Sequence, residues 1–272
     1  MDEPLLDPEI LEYYATAWDE DARIRSGLGE LEFLRTQEIV RRFLPADPLR
    51  ILDIGGASGV HAEWLLDDGH HVHLLDPVPL HVDAARSRLG NRAGFRADTG
   101  GGRHLPVPDA SCDVVLLMGP LYHLTERSDR VACWTEAFRV LEPGGLVVAA
   151  VITRFASLFS GLSGGDFFDP EFRAVVEQDL TDGQHRNPSD KDWFTTAYFH
   201  HPDEAAAEAT EAGFAVEAVL GVEGIAMWIP RLERWWPHPE RRTAIVDAAR
   251  AIESEPSLLG LGPHLLAIAR KP

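Results

Sequence analysis

The strongest constraint on the fold is a regular alternation of short apolar segments with helical segments between residues 50 and 152. Each apolar segment is brief and lacks a helical repeat, which is typical of a strand that is buried on both faces. The predicted strands are Arg50–Ile54, His71–Asp76, Gly94–Ala97, Cys112–Met118 and Leu146–Ile152, and the predicted helices between them are Ser58–Asp67, Pro79–Leu89 and Ser128–Leu141. This alternation predicts an α/β fold with a doubly wound parallel sheet that is covered by helices on both faces.

The flanking segments complete the predicted organisation. Before Pro45, apolar residues recur at near-helical spacing, and two later apolar segments, Phe214–Leu220 and His264–Arg270, are predicted as further strands. The sheet is therefore expected to have seven strands and to be mostly parallel. The predicted parts are a helical lid at 1–44, a Rossmann-like core at 45–152, an insertion on the substrate side at 153–201, and a completion of the sheet at 202–272 with a helical insertion at 222–260.

The most informative motif is Asp53-Ile54-Gly55-Gly56-Ala57-Ser58-Gly59, at the first turn from strand to helix. Glycines let a ligand approach the backbone closely, and the helix start offers N–H groups to a negatively charged ligand group. Such turns also occur as plain tight corners, so the residues at neighbouring strand ends matter. Asp76 ends the second strand, where a carboxylate can accept both hydroxyls of a ribose. Asp98 ends the third predicted strand, where it can accept an adenine amine. Both aspartates have an alternative reading as turn residues.

Together these residues resemble the class I S-adenosylmethionine (SAM)-dependent methyltransferases. Asp53, Gly55 and Gly59 match the family's glycine-rich motif, whereas Ala57 stands where its middle glycine is usual. The segment Leu141-Glu142-Pro143-Gly144-Gly145 is similar to the family's turn before the fifth strand. The resemblance implies SAM as the cofactor and S-adenosylhomocysteine (SAH) as its product. The implied cofactor-binding residues are Asp53, Gly55, Gly56, Ala57, Gly59, Asp76, Pro77, Asp98, Thr99 and Gly119.

The main alternative for this turn is a nicotinamide dinucleotide site, which needs the pattern G-x-G-x-x-G. Counted from Gly55, the later glycine positions hold Ala57 and Val60, so the pattern fails. A cofactor without a pyrophosphate suits the sequence better.

The acceptor side is predicted from residues beyond the fourth strand. The family places its acceptor near the end of that strand, so Tyr122 and His123 are the candidate catalytic and substrate-binding residues. A histidine can take a proton near neutral pH. His200, Trp193 and Trp228 are further candidates for the acceptor pocket. The alternatives are that His123 only bonds to the backbone of a turn, and that the aromatic residues form the core of the insertion.

The N-terminal segment Tyr13–Asp19 is a candidate cover for the cofactor. The ring of Tyr14 offers cation–π attraction to a sulfonium, and Arg35 or Arg23 offers a guanidinium fork for the methionine carboxylate. The alternative is that the aromatic rings pack in the core and the arginines lie on a solvated helix face.

Composition limits the partners. The 25 Lys and Arg residues against 44 Asp and Glu residues give a formal net charge of −19, which argues against a nucleic acid because phosphate backbones bind to dense cationic faces. No apolar run approaches the ~20 residues that span a bilayer, and the acidic N-terminus has no signal-peptide pattern. A cytoplasmic protein without membrane contact is therefore expected. The two cysteines and the histidine spacings predict no metal site.

The predicted function is methyl transfer from SAM to an oxygen or nitrogen atom of a small-molecule acceptor, by a monomer or homodimer. The alternatives are a peptide, protein or RNA methyltransferase, a non-catalytic SAM-binding protein, and a dehydrogenase.

Overall fold

The computed structural model describes residues 5–16, 20–25, 27–187, 191 and 193–272. Its first elements are the helices α1 (Pro8–Thr16), α2 (Glu20–Arg23) and α3 (Gly27–Phe43). The described part of the N-terminal segment is thus helical, as predicted. Residues 17–19, which include Trp18 and Asp19 of the predicted cofactor cover, lie outside the described residues. Helix α3 ends just before Pro45, which favours an extended conformation in the residue that precedes it.

A seven-stranded sheet forms the centre of the fold. Its strands and those of a separate hairpin are β1 (Arg50–Ile54), β2 (His71–Asp76), β3 (Phe95–Thr99), β4 (Cys112–Leu117), β5 (Leu141–Ile152), β6 (Gln184–His185), β7 (Ala197–Tyr198), β8 (Ala215–Gly221) and β9 (His264–Arg270). The order in the sheet is β3-β2-β1-β4-β5-β9-β8, while β6 pairs with β7. Among the described strands of the large sheet, β9 runs antiparallel to its two neighbours and the others are parallel to one another. The predicted seven-stranded, mostly parallel sheet is confirmed.

Helices cover both faces of this sheet. They are α4 (Val60–Asp67), α5 (Pro79–Leu89), α6 (Pro120–His123), α7 (Arg127–Val140), α8 (Ala156–Gly164), α9 (Pro170–Asp182), α10 (Glu204–Glu211), α11 (Leu232–Trp235) and α12 (Pro239–Ile252), with 3-10 turns at Asp166–Phe168, Ala226–Trp228 and Pro256–Leu261. Val147 and Val148, adjacent in β5, belong to apolar clusters on opposite sides of the sheet, one with Trp134 and one with Leu65. Because successive strand residues point to opposite faces, both faces are buried, as the continuous apolar strands predict.

Three details differ from the predicted elements. Strand β3 continues to Thr99, so Asp98 lies within the strand, opposite Leu75, rather than after its end. Helix α4 begins at Val60 because Gly59 before it has a φ of 85°, which no right-handed helix contains. The predicted turn at Glu142–Gly145 belongs to β5, whose pairing with β4 shifts register there.

The segment 153–201, which shows no clear periodicity, contains α8, α9 and the β6–β7 hairpin. Helix α9 begins with Pro170 after Asp169, whose side chain accepts the backbone N–H of Glu171. An isolated parallel bridge joins Thr153 to His200, so the two ends of the segment meet beside the end of β5. The start of α9 is thus determined by a local capping residue, and the bridge fixes the two ends of the segment beside β5.

Strands β1, β2, β4 and β5 run in the same direction, so their carboxyl ends meet at one edge of the sheet. Strand β9 begins at that edge because it is antiparallel, with His264 opposite Ile152. In the part of the chain that the structure describes, no helix combines the length and the apolar composition that crossing a membrane requires.

Candidate functional site

The turn between β1 and α4 brings the backbone close to the loop that follows β4. Gly55 has a φ of 73°, and a Cβ at this residue would lie 3.0 Å from Cδ of Pro120. Gly59 has a φ of 85°, and its Cβ would lie 3.0 Å from Cδ1 of Leu89. Gly55 therefore permits the close approach of Pro120 and lines the cavity described below, whereas Gly59 serves the packing of α4 against α5 and lies behind the wall of that cavity.

Asp76, the last residue of β2, supports the far side of this turn. Its Oδ2 accepts the backbone N–H of Ala57 at 2.9 Å. Its Oδ1 accepts the backbone N–H of Val78 at 2.9 Å and lies 3.1 Å from Nδ1 of His81. Ala57 is held at a φ of 47°, a region that disfavours residues with a Cβ. Oδ1 thus has two partners, whereas Oδ2 has one and keeps lone-pair capacity for a hydroxyl group of a ligand.

Asp53 lies behind the turn with its carboxylate fully buried. Neither oxygen has a hydrogen-bond partner among the described residues, and a Cβ at Gly56 would lie 2.6 Å from Oδ2. Burial, together with the charge of Asp76, raises the pKa of Asp53 to about 7. A positively charged ligand bound in front of the turn would favour the ionised form. The turn is therefore electrostatically suited to a cationic cofactor.

A cavity opens at the carboxyl ends of β1, β2 and β4. The glycines at 100–102, in the loop after β3, form part of its wall. The predicted site residues that line it are Tyr14, Gly55, Gly56, Ala57, Asp76, Pro77, Gly119, Tyr122 and His123. The structure thus gathers most of the predicted cofactor residues around one space.

Asp98 and Thr99 do not reach this cavity, contrary to the prediction. Asp98 lies on the edge strand β3, where its carboxylate bonds to Nε2 of His73 at 2.9 Å, to Nη2 of Arg86 at 3.3 Å and to Nε of Arg96. Partial burial favours the neutral acid, but the bonds from Arg96 and His73 outweigh it and lower the pKa of Asp98. Because β3 ends two residues later than predicted, the glycines beyond it face the cavity instead.

Arg35 does not line the cavity either. Its guanidinium is fully buried and donates to the carboxylates of Glu38 and Glu253, and its Nε donates to the carbonyl of Val222 at 3.4 Å. Arg23, the alternative from the sequence, lines the cavity and forms a two-bond ion pair with Glu32. The inward orientation of Arg35 depends on Glu253, which lies 218 residues further along the chain.

His123 and Tyr122 stand at the cavity wall in the short helix α6. Nε2 of His123 lies 2.7 Å from the hydroxyl of Tyr14, and Nδ1 lies 3.3 Å from the carbonyl of Thr196. Because a carbonyl only accepts, Nδ1 carries the proton and Nε2 accepts from Tyr14. Burial lowers the pKa of His123 to about 4. With both nitrogens engaged, this geometry favours an orienting role for His123 over the predicted direct proton transfer.

A second cavity lies beside the first. The two share four wall residues: Tyr14, Arg23, Tyr122 and His264. The remaining wall comes mostly from the segment 153–201 and from β5, and includes Ile152, Ser157, Asp166, Phe172, His185, Trp193, Phe194 and Phe199. Trp193 is therefore the predicted acceptor-pocket residue that this segment brings to the site.

His200 and Trp228, the other two candidates, lie at neither cavity. His200 is fully buried against the ring of Tyr198, and its Nε2 is 3.5 Å from Oε2 of Glu208. The bridge to Thr153 fixes this inward position. Trp228 packs on the ring of Phe159 and remains 40% exposed, because its 3-10 turn lies outside both cavities.

A charged network at the shared wall includes His264 and Glu32, which were not assigned from the sequence. Nδ1 of His264 lies 2.5 Å from Oε1 of Glu223 and 3.7 Å from Oε2 of Glu32. Burial disfavours the imidazolium, but these two carboxylates outweigh it and raise the pKa of His264 to about 9. Burial likewise opposes ionisation of Glu32, yet His264 and Arg23 lower its pKa to about 2. The available sequence signal was the position of His264 at the start of the last strand.

Glu32, Glu223 and His264 also form a cluster of possible metal ligands within the described residues, with ligand atoms within 4.8 Å of one another. Arg23 already binds Glu32, and His264 donates to Glu223, so both carboxylates have cationic partners. We therefore describe the cluster as an ion-pair network.

Residues 52–149 match the family model described as "Methyltransferase domain". The chain is 34% identical over 119 residues to a ubiquinone biosynthesis O-methyltransferase of Methylocella silvestris, which covers 43% of this chain and 44% of that protein. It is 31% identical over 179 residues to a probable SAM-dependent methyltransferase of Mycolicibacterium smegmatis, covering 63% and 54% of the two chains. The chain thus spans about half the length of these curated relatives. A SAM-dependent methyltransferase structure from Mesorhizobium loti matches with a TM-score of 0.58 and 19% identity, over 88% of this chain and 99% of that one, which shows a shared fold.

Proposed function

We propose that this chain, which carries a class I SAM-dependent methyltransferase domain, transfers a methyl group from SAM to an oxygen or nitrogen atom of a small acceptor. The observation that carries the proposal is that two neighbouring cavities at the carboxyl edge of the sheet share the wall residues Tyr14, Arg23, Tyr122 and His264. One lies against the glycine turn and Asp76, and the other is lined by aromatic rings. Joined sites suit a transferase because donor and acceptor must be held together in one reactive orientation.

The first cavity has side chains whose chemistry fits SAM. Oδ2 of Asp76 has lone-pair capacity for a ribose hydroxyl. Gly55 and Gly56 line the cavity with backbone alone, which lets a ligand approach closely, and the unpartnered carboxylate of Asp53 behind them favours a positively charged group in front of the turn. The glycines at 100–102 offer a wall without side chains for the adenine, in place of the predicted contact from Asp98.

When bound, SAM supplies an activated methyl group on a positively charged sulfur. The chain's own residues bind, orient and exclude water. The rings of Tyr14 and Tyr122 lie at the shared wall, where an aromatic face attracts a cation by about 0.5–2 kcal/mol. His123 accepts the hydroxyl of Tyr14, and the hydroxyl of Tyr122 donates to the carbonyl of Met118 at 3.1 Å, so both rings are held in place.

The second cavity supports a small acceptor with a flat apolar part. Phe172, Trp193, Phe194 and Phe199 offer aromatic surface on one side, and such surface binds apolar rings by burial and by edge or face contacts. The net charge of −19 disfavours a nucleic acid as the acceptor. Relatives named for O-methylation in ubiquinone biosynthesis support an oxygen atom as the one that is methylated.

Calorimetric titration of SAM and SAH tests the proposal. Asp76→Asn is expected to weaken the binding of both by about 10- to 100-fold, because hydrogen bonds to a charged group are lost. Asp98→Asn is the matched control, since it removes a carboxylate from the neighbouring strand outside the cavity, and its affinity should stay within about twofold of the wild type. If the wild-type protein holds neither SAM nor SAH, the proposed function fails, and equal losses in both variants would contradict the ribose site.

A further inference from the structure

We propose that His264, oriented by Glu223, contacts the reacting atom of the acceptor and takes its proton, and that the acceptor is a small aromatic ring bearing a hydroxyl group. This inference rests on the proposed function, because it assigns the acceptor side of the same site.

The position of His264 is the first argument. A methyl donor in the first cavity and an acceptor in the second must meet where the two cavities join. The shared wall there consists of Tyr14, Arg23, Tyr122 and His264. Arg23 is a permanent cation engaged with Glu32 and cannot take a proton. His264 is the residue of this wall whose neutral form can take a proton without first becoming an anion, and its pKa of about 9 makes that form available as the pH rises above neutral.

The orientation of the ring is the second argument. Glu223 is fully buried, accepts Nδ1–H of His264 at 2.5 Å, and accepts the backbone N–H of the same residue at 3.2 Å. These two bonds fix the tautomer and the direction of the ring. Within the described residues Nε2 has no hydrogen-bond partner, and the side chain is 22% exposed, so this nitrogen opens toward the cavities that His264 lines. General base catalysis uses an imidazole of this kind, in which one nitrogen donates to a carboxylate and the other is able to accept a proton.

The surrounding charges match this base to a weakly acidic hydroxyl. Glu32 of α3 and Glu223 beyond β8 face the imidazole, Arg23 of α2 opposes them, and His61 of α4 stays neutral because burial lowers its pKa to about 4. The carboxylates raise the pKa of His264 to about 9, close to the value of ~10 for the phenol of tyrosine. Because the two pKa values are similar, the transfer of a proton from a phenol to this base costs little free energy.

The titration of His264 suits a hydroxyl group better than an amine. Below its pKa the imidazolium repels a protonated amine and stabilises a phenolate, and above its pKa the neutral ring can take the proton of a hydroxyl group. The aromatic wall of the second cavity supports the same choice: the rings of Phe172 and Trp193 lie 5.0 Å apart in an edge arrangement, and Phe194 lies beside Tyr122. Aromatic rings therefore form part of the wall of the cavity that His264 also lines.

The proposed step balances. The acceptor O–H bond breaks and its proton moves to Nε2 of the neutral imidazole. The electron pair on the acceptor oxygen forms the new bond to the methyl carbon, and the pair of the methyl–sulfur bond stays on sulfur, so that SAH leaves uncharged at sulfur. The imidazolium then returns its proton to water, and no oxidant or reductant is needed.

Binding of 4-nitrophenol to the SAH complex tests the proposal without turnover, because its phenolate absorbs visible light. In the wild-type complex, the bound probe is expected to ionise about 1 pH unit lower than the free probe. His264→Gln should abolish this shift, and Glu223→Gln should reduce it, because the imidazolium loses its partner. His238→Gln, at an exposed histidine before α12, is the matched control and should keep the full shift.

The outcomes separate this inference from the proposed function. Calorimetry of SAH is run on each variant, and unchanged affinity shows that the cofactor site is folded. If the wild type does not bind SAH, the proposed function fails and the inference fails with it. If SAH binds but 4-nitrophenol does not, or binds without a shift, the inference alone is wrong. A shift that survives in His264→Gln would likewise overturn the role of His264.

Discussion

Asp53→Asn tests the electrostatics of the glycine turn. The carboxylate of Asp53 is buried without a partner among the described residues, so its ionised form destabilises the folded state. Asparagine has nearly the same shape and carries no charge at any pH. The variant should therefore be more stable than the wild type at high pH, although it changes a residue directly behind the glycine turn.

The size of the effect follows from the pKa. Burial and Asp76 raise the pKa of Asp53 from 3.8 to about 7, which destabilises the folded state by about 4 kcal/mol once the group is ionised in both states. Below pH 3.8, the pKa that Asp53 has in the unfolded state, the carboxyl group is protonated in both states and the penalty is absent. The penalty grows as the pH rises from 3.8 towards 7 and is constant above. Between pH 5 and pH 8, the stability of the variant relative to the wild type should rise by about 3 kcal/mol.

The assay is urea unfolding followed by tryptophan fluorescence at several pH values, with Asp98→Asn as the control. The pKa of Asp98 is lowered by Arg96 and His73 despite partial burial, so its ion pairs stabilise the fold above the unfolded pKa and are lost as the pH falls. Asp98→Asn should therefore be slightly less stable than the wild type at pH 8, the opposite sign. A stability gain in Asp53→Asn that does not change with pH, or a loss at pH 8, would refute the reasoning. SAM affinity of Asp53→Asn should fall by about tenfold, because the cation loses a buried negative charge.

Two further substitutions test the assignment of structural and site roles. Arg35→Ala should destabilise the protein by about 3 kcal/mol, because Glu253 and Glu38 lose a buried cation. Calorimetry should find the affinity for SAM unchanged. A clear loss of SAM affinity without a loss of stability would place Arg35 in the cofactor site after all. Ala57→Gly should relieve about 1 kcal/mol of left-handed backbone strain, offset by the greater freedom of glycine in the unfolded chain. Thermal melting should therefore show a change of at most about 1 kcal/mol, and a strong destabilisation would contradict the strain.

Local sequence patterns predicted the frame of the site. The bounds of β1, β2, α5 and β9 agree with the apolar runs and the helix signals that predicted them, because a buried strand or a Pro-started helix is encoded within a few neighbouring residues. The glycine turn and Asp76 were found for the same reason. Their geometry depends on one strand, one turn and the end of the adjoining strand.

The direction of several side chains depended on tertiary structure. Asp98 had the right residue type near the right strand, but the backbone pairing of β3 with β2 extended the strand past it. His200 and Arg35 turned inward to partners, Glu208 and Glu253, which no local pattern connects to them. Residue type alone could not distinguish these buried pairs from ligand contacts.

The sequence by itself determined the doubly wound sheet, the open turn after β1 and the acidic end of β2, since all three are short-range properties of the chain. Only the tertiary structure decided the junction of the two cavities. There β9 inserts between β5 and β8 in the opposite direction, which places His264 at the carboxyl edge of the sheet beside Glu32 and Glu223. The physical reason is that backbone propensity acts over a few residues, whereas charge pairing and desolvation depend on which distant segments the sheet order makes neighbours.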